Sequence, residues 1–390
     1  MTTADGHAAP VTADAPLAGV TVIELGHSVA GPFAGQILAD LGAQVIKIEK
    51  AGGDDARHWG PPFVDGAAAT FQGINRGKRS LVLDLRAPQD LERLNALIDT
   101  QADVVLQNMR PGQVDTLGLD ATTLRARKPQ LVYCNLGAFG SVGPLAGRPG
   151  YDPLMQAFGG IMSVVGEQGG APVRVGPSLV DMGSGMWAAL GIVALLMRRP
   201  SRGGEGGVVD VSLFETAACW MTMYATQYLA DGRMPGKNGS GQAGIVPYRA
   251  YRTLDGDLVV AAGNDKLFRS LCEAVGHPEW VQDPRFATNA QRVAHAAPLY
   301  ALLESCMAQR SNSQWIELLD AAGVPCAPVQ DVGQMLAHPQ TQALGLLQDI
   351  PGSSIPLMGL PLRLDGQRPQ PQGPSPRLGE MNEAPTERCA

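Results

Sequence analysis

The chain has 390 residues, 45% of them hydrophobic, and a formal net charge of −7 at pH 7. That length allows about two to three domains with a sizeable buried core. An acidic balance argues against a general nucleic-acid-binding protein, because such proteins concentrate Lys and Arg on the face that neutralises phosphates. Any anionic ligand must therefore be held by a local cluster of cations.

Cysteine usage and the N-terminus favour a cytoplasmic protein. The six cysteines are scattered, with neither a CxxC pair nor dense spacing, as is typical of a reducing compartment. Residues 1–16 are polar and rich in Ala and Pro, lack the basic start and apolar run of a secretory signal, and are predicted to be disordered. The most apolar stretch, 185–197, is shorter than the roughly 20 residues that cross a bilayer, so we expect a buried helix.

The first part of the chain, from 20 to 140, alternates short β-branched runs with helical stretches. That pattern is typical of crossover units in a parallel sheet and predicts a doubly wound α/β layout. One of the helices begins on a proline in its first turn, which suits helix geometry. Strands are predicted at 20–25, 44–49, 80–85, 102–108 and 131–136, and helices at 32–41 and 88–100.

The second half contains a long apolar helix and then a change of composition. Residues 153–166 have helical spacing, and the stretch 181–199 is predicted to be a helix that begins at a capping Asp181. A Gly-rich polar segment at 231–244 marks a domain boundary. A hairpin at 248–261 and helices at 265–275, 298–309 and 313–322 follow. The predicted domains are a large one at 17–230, a smaller α/β one at 231–325, and a return to the large one at 326–390.

Several common catalytic motifs are missing from the sequence. The literal GxGxxG formed by Gly239, Gly241 and Gly244 follows a loop and leads into a strand, so it does not aim a helix N-terminus at a pyrophosphate. There is no P-loop, no GxSxG elbow and no HExxH, and the six histidines lack metal-ligand spacing. We therefore expect no metal and disfavour a nucleotide-dependent oxidoreductase.

The segment SLVDMGSGM places Asp181 and a run of small residues at the start of the apolar helix. Asp is a preferred helix cap, so an ordinary capping role is one interpretation. Catalysis is the other, because free backbone N–H groups favour a carboxylate there and small glycines leave room for a bulky substrate. The residues by themselves leave both interpretations open.

A family resemblance favours catalysis. The segments VAGPFAGQILADLGAQVIKIEK, NRGKRSLVLDL, LVYCNLGAFGSVGP, RPGYDPLMQAFGG, SLVDMGSGMWAALGIVALLMRR and AGVPCAPVQDV resemble, in order, the family III CoA-transferases of the CaiB/BaiF type. The stretches DDARHWGPPF and GIVPYRAYRTLDGDLVVAAGN are most similar to the succinyl-CoA:dicarboxylate branch. The resemblance implies a Rossmann-like large domain built from both chain ends, a smaller α/β domain and an interlocked homodimer.

The resemblance also implies a reaction. In this family the aspartate at the position of Asp181 is the nucleophile, and CoA moves from an acyl-CoA, here succinyl-CoA, to a small carboxylic acid. The path runs through a mixed anhydride and an aspartyl-CoA thioester. We expect Asp181 to have an ordinary pKa near about 4 and to be ionised at neutral pH. Gly241 and Gln242 correspond to the family's glycine-rich lid, although a flexible linker fits those residues equally well.

The family's contacts with CoA map onto the strand ends. CoA is a substrate in this family, so no tightly bound cofactor is expected, and neither nucleic acid nor membrane is an expected partner. For Lys50, Arg86 and Arg110, the alternative to binding CoA phosphates is an ordinary solvated surface charge. The positions are Ala30, Lys50, Leu83, Asp84, Leu85, Arg86, Asn108, Arg110, Gly137, Ala138, Phe139 and Gly140.

Departures from the family pattern narrow the alternatives. Family racemases carry a His where this chain has Tyr151, so an acyl-CoA racemase or epimerase lacks its second base. Formyl-CoA:oxalate enzymes carry a Gln where this chain has Val29, and the LGEHT motif appears here as LGEMN, ending at Asn382. A CoA-binding protein without turnover is the third possibility, which an intact Asp181 disfavours. The acceptor acid stays open among malate, itaconate, mesaconate and hydroxymethylglutarate.

Overall fold

A computed structural model describes residues 14–383 of the chain. Most of the predicted disorder, residues 1–13, lies outside this range. The strands of the first half are β1 (Thr21–Leu25), β2 (Gln44–Glu49), β3 (Phe63–Val64), β4 (Ala67–Ala68), β5 (Lys78–Val82), β6 (Val104–Gln107), β7 (Val132–Gly137) and β8 (Gly207–Ser212). The helices are α1 (Ala30–Asp40), α2 (Ala69–Asn75), α3 (Pro88–Gln101), α4 (Gln113–Thr116), α5 (Ala121–Arg127), α6 (Asp152–Phe158), α7 (Ile161–Val164), α8 (Leu179–Arg198), α9 (Leu213–Trp220) and α10 (Thr222–Asp231).

The remaining elements follow the Gly-rich segment. They are β9 (Tyr248–Arg252), β10 (Asp257–Ala261), α11 (Asp265–Ala274), α12 (Asn289–Ala294), α13 (Ala296–Met307), α14 (Asn312–Ala321), β11 (Cys326–Pro328), α15 (Val332–Ala337), α16 (Pro339–Ala343), β12 (Leu347–Gln348), β13 (Leu357–Met358) and α17 (Glu380–Glu383).

Within residues 14–383, six strands form a parallel sheet in the order β5-β2-β1-β6-β7-β8. Successive residues of a strand face opposite layers. On one face Ile23, Ile46 and Val105 pack with Leu94 and Ile98 of α3 in a buried apolar cluster. The predicted α/β class with a parallel sheet is confirmed.

The opposite face of the sheet carries charged side chains under α1. Lys78 Nζ donates a hydrogen bond to Pro32 O of α1 at 2.7 Å and pairs with Glu24 at 2.8 Å. Gly35 of α1 lies directly over Glu24, and a Cβ at that position would collide with the carboxylate. The glycine is therefore required by the close approach of α1 to the sheet.

The described chain divides into two compact units. The larger comprises residues up to 161, 175–225 and 339 onward, and the smaller comprises 162–174 and 226–338. The composition break had placed the return to the large domain at 326. The structure places it at 339, because β11 pairs with β10 in the antiparallel sheet β11-β10-β9 of the smaller unit.

The helix predicted at 153–166 is divided in two. Gly160, between α6 and α7, has φ of +87°, a left-handed conformation that interrupts the helix. The predicted hairpin is present as β9 and β10, paired from Tyr248 with Ala261 to Arg252 with Asp257. Residues 162–174 belong to the smaller unit, although the predicted boundaries had placed them in the large domain.

Helix α8 is less covered than expected. Leu179–Arg202 is long and apolar enough to cross a membrane by length and composition alone. Val180, Ala188 and Ile192 are buried on one side of it, whereas Met186 is 53% exposed and Leu190 57% exposed on the other. The expected burial is therefore found on one face of α8 only, because only that face packs within its own unit.

Candidate active site

A cleft of about 510 Å³ opens outside the carboxyl ends of β1, β2, β5 and β6. The chain runs from β1 to one edge of the sheet and then returns to β6 on the other side of β1. The boundary between β1 and β6 is thus a topological switch point, where open parallel sheets bind ligands. The cleft is lined by Leu25, Gly26, His27, Ile48, Glu49, Lys50, Gly53, Asp54, Asp55, Leu83, Asp84, Leu85, Arg86, Met109, Arg110, Gln113 and Tyr151.

Half of the predicted CoA contacts line this cleft and half do not. Those in the lining are Lys50, Leu83, Asp84, Leu85, Arg86 and Arg110. Ala30 begins α1 and is buried, and Asn108 lies beneath the turn after β1. Residues 137–140 lie at the end of β7 and just after it, where the Phe139 ring packs edge-on against Phe158 at 5.2 Å. The contacts of these last residues with CoA stay predictions.

Two of the three lysine and arginine side chains in the cleft lining, Lys50 and Arg86, are paired with neighbouring acids at the surface. Lys50 Nζ lies 2.6 Å from Asp55 Oδ1, and both side chains are about two-thirds exposed. Arg86 Nε lies 2.9 Å from Asp84 Oδ1, and the arginine is 89% exposed. Exposed pairs of this kind contribute little to stability, so an incoming phosphate can replace the carboxylate as partner at small cost.

Asp181 lies in the first turn of α8, but it is not the helix cap. The helix begins at Leu179, and Ser178, at the cap position, makes no side-chain cap hydrogen bond. Instead Asp152 Oδ2 accepts hydrogen bonds from Val180 N at 2.8 Å and Asp181 N at 3.1 Å. A carboxylate from α6 thus satisfies the free N–H groups of the helix, and the Asp181 side chain is left for another role.

The electrostatic environment of Asp181 differs from the expectation. The side chain is half-buried, and its desolvation, followed by the nearby charge of Asp152, raises the pKa of Asp181 to about 7. Both causes disfavour the charged form. The expected pKa near 4 is therefore wrong. At neutral pH the carboxylate is poised between its two protonation states, as is common for catalytic groups.

The small residues after Asp181 serve helix packing. A Cβ on Gly183 would lie 2.8 Å from the Trp220 ring, and a Cβ on Gly185 would lie 2.8 Å from Ala30 O. Between them Ser184 Oγ donates to Val180 O at 2.8 Å and is bonded to the Thr216 hydroxyl. The suggestion that these glycines leave room for substrate is replaced by a packing role that holds α8 against α1 and α9.

The glycine segment, residues 239–244, belongs to the smaller unit. Gly241 N donates to Asn238 O at 2.8 Å, and Gln242 N donates to Tyr248 O at 3.2 Å. Both predicted lid donors are thus engaged within their own unit. For these N–H groups to bind a substrate oxygen, the two bonds must first be released.

Asp152, His27 and Asp54 were not identified from the sequence. His27 lies two residues after β1 and Asp54 lies in the loop five residues after β2, so the rule that strand ends line the ligand site was a usable signal for both. Asp152 had no such signal. Its partners lie in a helix far along the chain, and only the tertiary structure brings them together.

A prediction follows for Asp152→Asn, in which the charge beside Asp181 is removed. The pKa of Asp181 falls, because one of the two causes that raise it is gone, yet it stays above 3.8, because desolvation is the larger cause. The acid limb of the pH profile of kcat/KM therefore moves to lower pH than in the wild type. An unshifted limb would show that Asp152 does not act on Asp181 electrostatically.

The His, Cys, Asp and Glu side chains of the described residues form no cluster with metal-binding geometry. Within residues 14–383, no group of three or more His, Cys, Asp or Glu is placed to hold a metal ion. In the same range the cysteines are free thiols, namely Cys134, Cys219, Cys272, Cys306 and Cys326.

Known proteins resemble this chain over nearly its whole length. The family model for CoA-transferase family III matches residues 17–382. The succinate–glutarate CoA-transferase of Agrobacterium fabrum is 38% identical over 375 residues, which cover 94% of this chain and 93% of the relative. The acetyl-CoA:oxalate CoA-transferase of Acetobacter aceti is 36% identical, with 96% of both chains covered. A crystal structure of a CaiB/BaiF family protein from Brucella suis superposes with a TM-score of 0.85 at 40% identity, over 94% of this chain and 97% of that one.

Proposed function

Because the chain belongs to the family III CoA-transferases, we propose that it transfers CoA from succinyl-CoA to a small dicarboxylic acid. The observation that carries the chemistry is Asp181, a half-buried carboxylate with a raised pKa, held by Asp152 at the start of α8. The succinate–glutarate relative supports the choice of donor and of acceptor class. Glutarate is the first acceptor to test.

We propose that Asp181 is the nucleophile. Its ionised oxygen attacks the thioester carbonyl of the donor, and the thiolate of CoA leaves, which makes a mixed anhydride. The thiolate then attacks the aspartyl carbonyl, the donor acid departs, and an aspartyl-CoA thioester is left. The acceptor carboxylate repeats these steps in reverse, so the thioester bond is conserved and the aspartate is regenerated.

The raised pKa of Asp181 fits this chemistry in two ways. Partial desolvation makes the carboxylate a stronger nucleophile than a fully hydrated one. The same desolvation limits the access of water to an anhydride that would otherwise hydrolyse. Tyr151, which lines the cleft, immediately precedes Asp152, whose carboxylate bonds the backbone of Asp181. Because Tyr151 and Asp152 are adjacent in the chain, Asp181 lies near the part of the cleft that Tyr151 lines. We propose that the thioester end of a CoA bound in the cleft reaches Asp181 on this side.

Each tetrahedral step develops an oxyanion that backbone N–H groups are suited to stabilise. We propose Gly241 and Gln242 for this role, as the family resemblance implies. Gly239 and Gly244, at the ends of the segment, have φ of +56° and +80°. A segment with such residues at both ends can change its backbone path at low steric cost. Release of the bonds to Asn238 O and Tyr248 O would then free both N–H groups for this role.

Racemase chemistry is the weaker alternative. It needs a second proton-accepting group opposite Asp181, and the residue at the corresponding position is Tyr151, a phenol in place of the imidazole that family racemases carry. Tyr151 is 56% exposed in the cleft lining, where an acyl acceptor can contact it.

Acetyl-CoA and oxalate, the substrates in the name of the Acetobacter aceti relative, are the second pair to test.

The experiment that tests the function is an acceptor screen. Purified protein is incubated with succinyl-CoA and, separately, with glutarate, mesaconate, malate, itaconate, hydroxymethylglutarate and oxalate, and new acyl-CoA species are identified by mass. Acetyl-CoA with oxalate is run alongside. New dicarboxylyl-CoA supports the proposal and names the acceptor. Exchange of an α-proton on a branched acyl-CoA, without any transfer, would replace it with the racemase.

We also propose that the enzyme is a homodimer, interlocked as in its family, and that it works in the cytoplasm. Support for the dimer comes from α8, where Met182, Met186 and Leu190 recur every fourth residue and are 36%, 53% and 57% exposed. An apolar stripe of this kind is typical of a protein interface. The free thiols in residues 14–383 suit a reducing compartment.

A prediction for the dimer concerns Leu190→Glu. A charge in the middle of the apolar stripe must be desolvated on association, so we expect the mass measured by light scattering to fall from dimer to monomer. The matched control is Leu254→Glu, because Leu254 is 66% exposed in the turn between β9 and β10. The control is expected to remain a dimer. A dimeric Leu190→Glu protein would rule out this face as the interface.

A further inference from the structure

The turn after β1 is held by side chains from neighbouring strand ends. Lys47 Nζ donates to Gly26 O at 2.7 Å, and Asp54 Oδ1 accepts from Ser28 N at 3.1 Å. Lys47 and Asp54 are also paired with each other at 2.8 Å, with both side chains almost fully buried. The backbone of Gly26 and that of Ser28 are therefore each hydrogen-bonded to one member of a single buried ion pair.

Asn108, which directly follows β6, holds His27, the residue between Gly26 and Ser28. Its Oδ1 accepts from His27 N at 2.9 Å, and its Nδ2 donates to His27 O at 2.9 Å. The side-chain amide thus pairs with the backbone of His27 as a neighbouring strand would. Three consecutive residues, from Gly26 to Ser28, each have a backbone group bonded to a different side chain.

The conformation of the turn needs this support. Ser28 has φ of +65°, in the left-handed region that side chains other than glycine rarely adopt. Residues held there persist when the surrounding structure determines their conformation. A Cβ on Gly31 would lie 3.2 Å from Asn108 Cγ, so the start of α1 is in close contact with the same amide.

The turn forms part of the proposed CoA site. Gly26 and His27 line the cleft, whereas Asn108 is not among the lining residues, and two of its amide atoms are engaged with His27. We propose that Asn108 is a positioning residue that acts on CoA through the turn at 26–28. In this role it holds Ser28 in the left-handed conformation and does not bind CoA with its own amide. The inference rests on the proposed binding of CoA in this cleft.

The experiment measures the dissociation constant of CoA by calorimetry for the full-length protein and its variants. Asn108→Ala removes both bonds to His27, and we expect CoA to bind about tenfold more weakly, as for the loss of about one to two hydrogen bonds. Adding Ser28→Gly to Asn108→Ala lowers the cost of the left-handed conformation. The double variant is therefore expected to recover at least threefold of the roughly tenfold loss.

Ser28→Ala in the Asn108→Ala background is the matched control. It removes the same hydroxyl, which lies 3.1 Å from His27 Nδ1, but keeps the Cβ that disfavours a positive φ, so no recovery is expected. Thermal unfolding of each variant verifies that the protein is folded.

The outcomes separate this inference from the proposed function. Failure of the wild type to bind CoA would remove the cleft as the CoA site. Wild-type binding with no loss in Asn108→Ala would overturn the positioning role. A loss that Ser28→Gly does not recover would also overturn it, in favour of direct contact between Asn108 and CoA.

Discussion

Asp181→Ala is expected to lower the rate of CoA transfer by roughly a thousandfold or more while CoA still binds. Removal of a nucleophile eliminates the covalent path, and the remaining groups give only residual catalysis. The Asp181 side chain is not among the cleft-lining residues, so the affinity for CoA is expected to stay within a few fold of the wild type. The measurements are acyl-CoA formation by mass and CoA binding by calorimetry.

The stability of Asp181→Ala provides an internal control. Because the pKa of Asp181 is raised in the folded state, the native protein binds a proton more tightly than the unfolded chain between about pH 4 and pH 7. Asp181 therefore contributes a loss of stability to the wild type as pH rises through that window, and the alanine variant lacks this contribution. At pH 8 the variant should be as stable as the wild type or more so, so unfolding cannot account for its inactivity.

Asp120→Ala is the matched comparison for the nucleophile. Asp120 also lies at a helix start in the larger unit, where its carboxylate accepts a hydrogen bond from Thr123 N at 3.0 Å. Loss of such a cap costs about 1 kcal/mol of stability but should leave CoA transfer unchanged. Equal activity losses in Asp120→Ala and Asp181→Ala would contradict the assignment of Asp181 as nucleophile.

Lys47→Met is expected to be the most destabilising of these substitutions, by about 3–5 kcal/mol. The Lys47 side chain is fully buried between Glu24 at 2.9 Å and Asp54 at 2.8 Å, and these carboxylates raise its pKa against the effect of desolvation. Methionine fills similar volume but leaves Asp54 without its cation. An unpaired buried carboxylate is the main cost, and Glu24 keeps Lys78 as a partner.

Denaturant unfolding at two pH values tests this assignment. A carboxylate left without its cation has a raised folded-state pKa and can take up a proton, so the loss in Lys47→Met should be smaller at pH 5 than at pH 8. The matched control is Lys128→Met. Lys128 is also buried, but its Nζ donates to two backbone carbonyls, of Ile98 and Asp99, at 2.9 and 3.0 Å.

The control is expected to lose about 1–3 kcal/mol, because a carbonyl left unpaired costs less than a carboxylate. Its loss should also depend less on pH between 5 and 8, since backbone carbonyls do not titrate. Equal losses for the two lysines at both pH values would show that the charge of Asp54 and Glu24 is not what makes Lys47 important.

Five strands of the parallel sheet, the hairpin of β9 and β10, and the helices α1, α3, α11, α13 and α14 could be predicted because their signals are local. β1 and β2 were predicted to within one residue at each end, from β-branched runs of strand length. α3 begins on Pro88 as expected, since proline suits the first turn of a helix. The start of α8 was predicted two residues too late, because Asp181 was taken as the cap when the cap is the carboxylate of Asp152.

The candidate site was only partly predictable, because some of its features depend on residues that are distant in sequence. Asp181, Lys50, Arg86 and Arg110 were identified from the family resemblance, and the last three line the cleft. The pKa of Asp181 was not predictable, because it depends on burial and on a charge from another helix. Nor was the position of Asn108, whose two hydrogen bonds join strand ends that are distant in sequence.

The sequence by itself determined the α/β class, the strand positions and the identity of Asp181 as a candidate nucleophile. The first two depend on short-range periodicity and on residue type, which are properties of a single stretch of chain, whereas Asp181 was singled out by the resemblance of its segment to the family III CoA-transferases. Only the tertiary structure decided what surrounds each of these residues. Solvation, the distance between charges and the space beside a glycine depend on segments far apart in sequence, and they set whether Asp181 caps a helix or is poised to react.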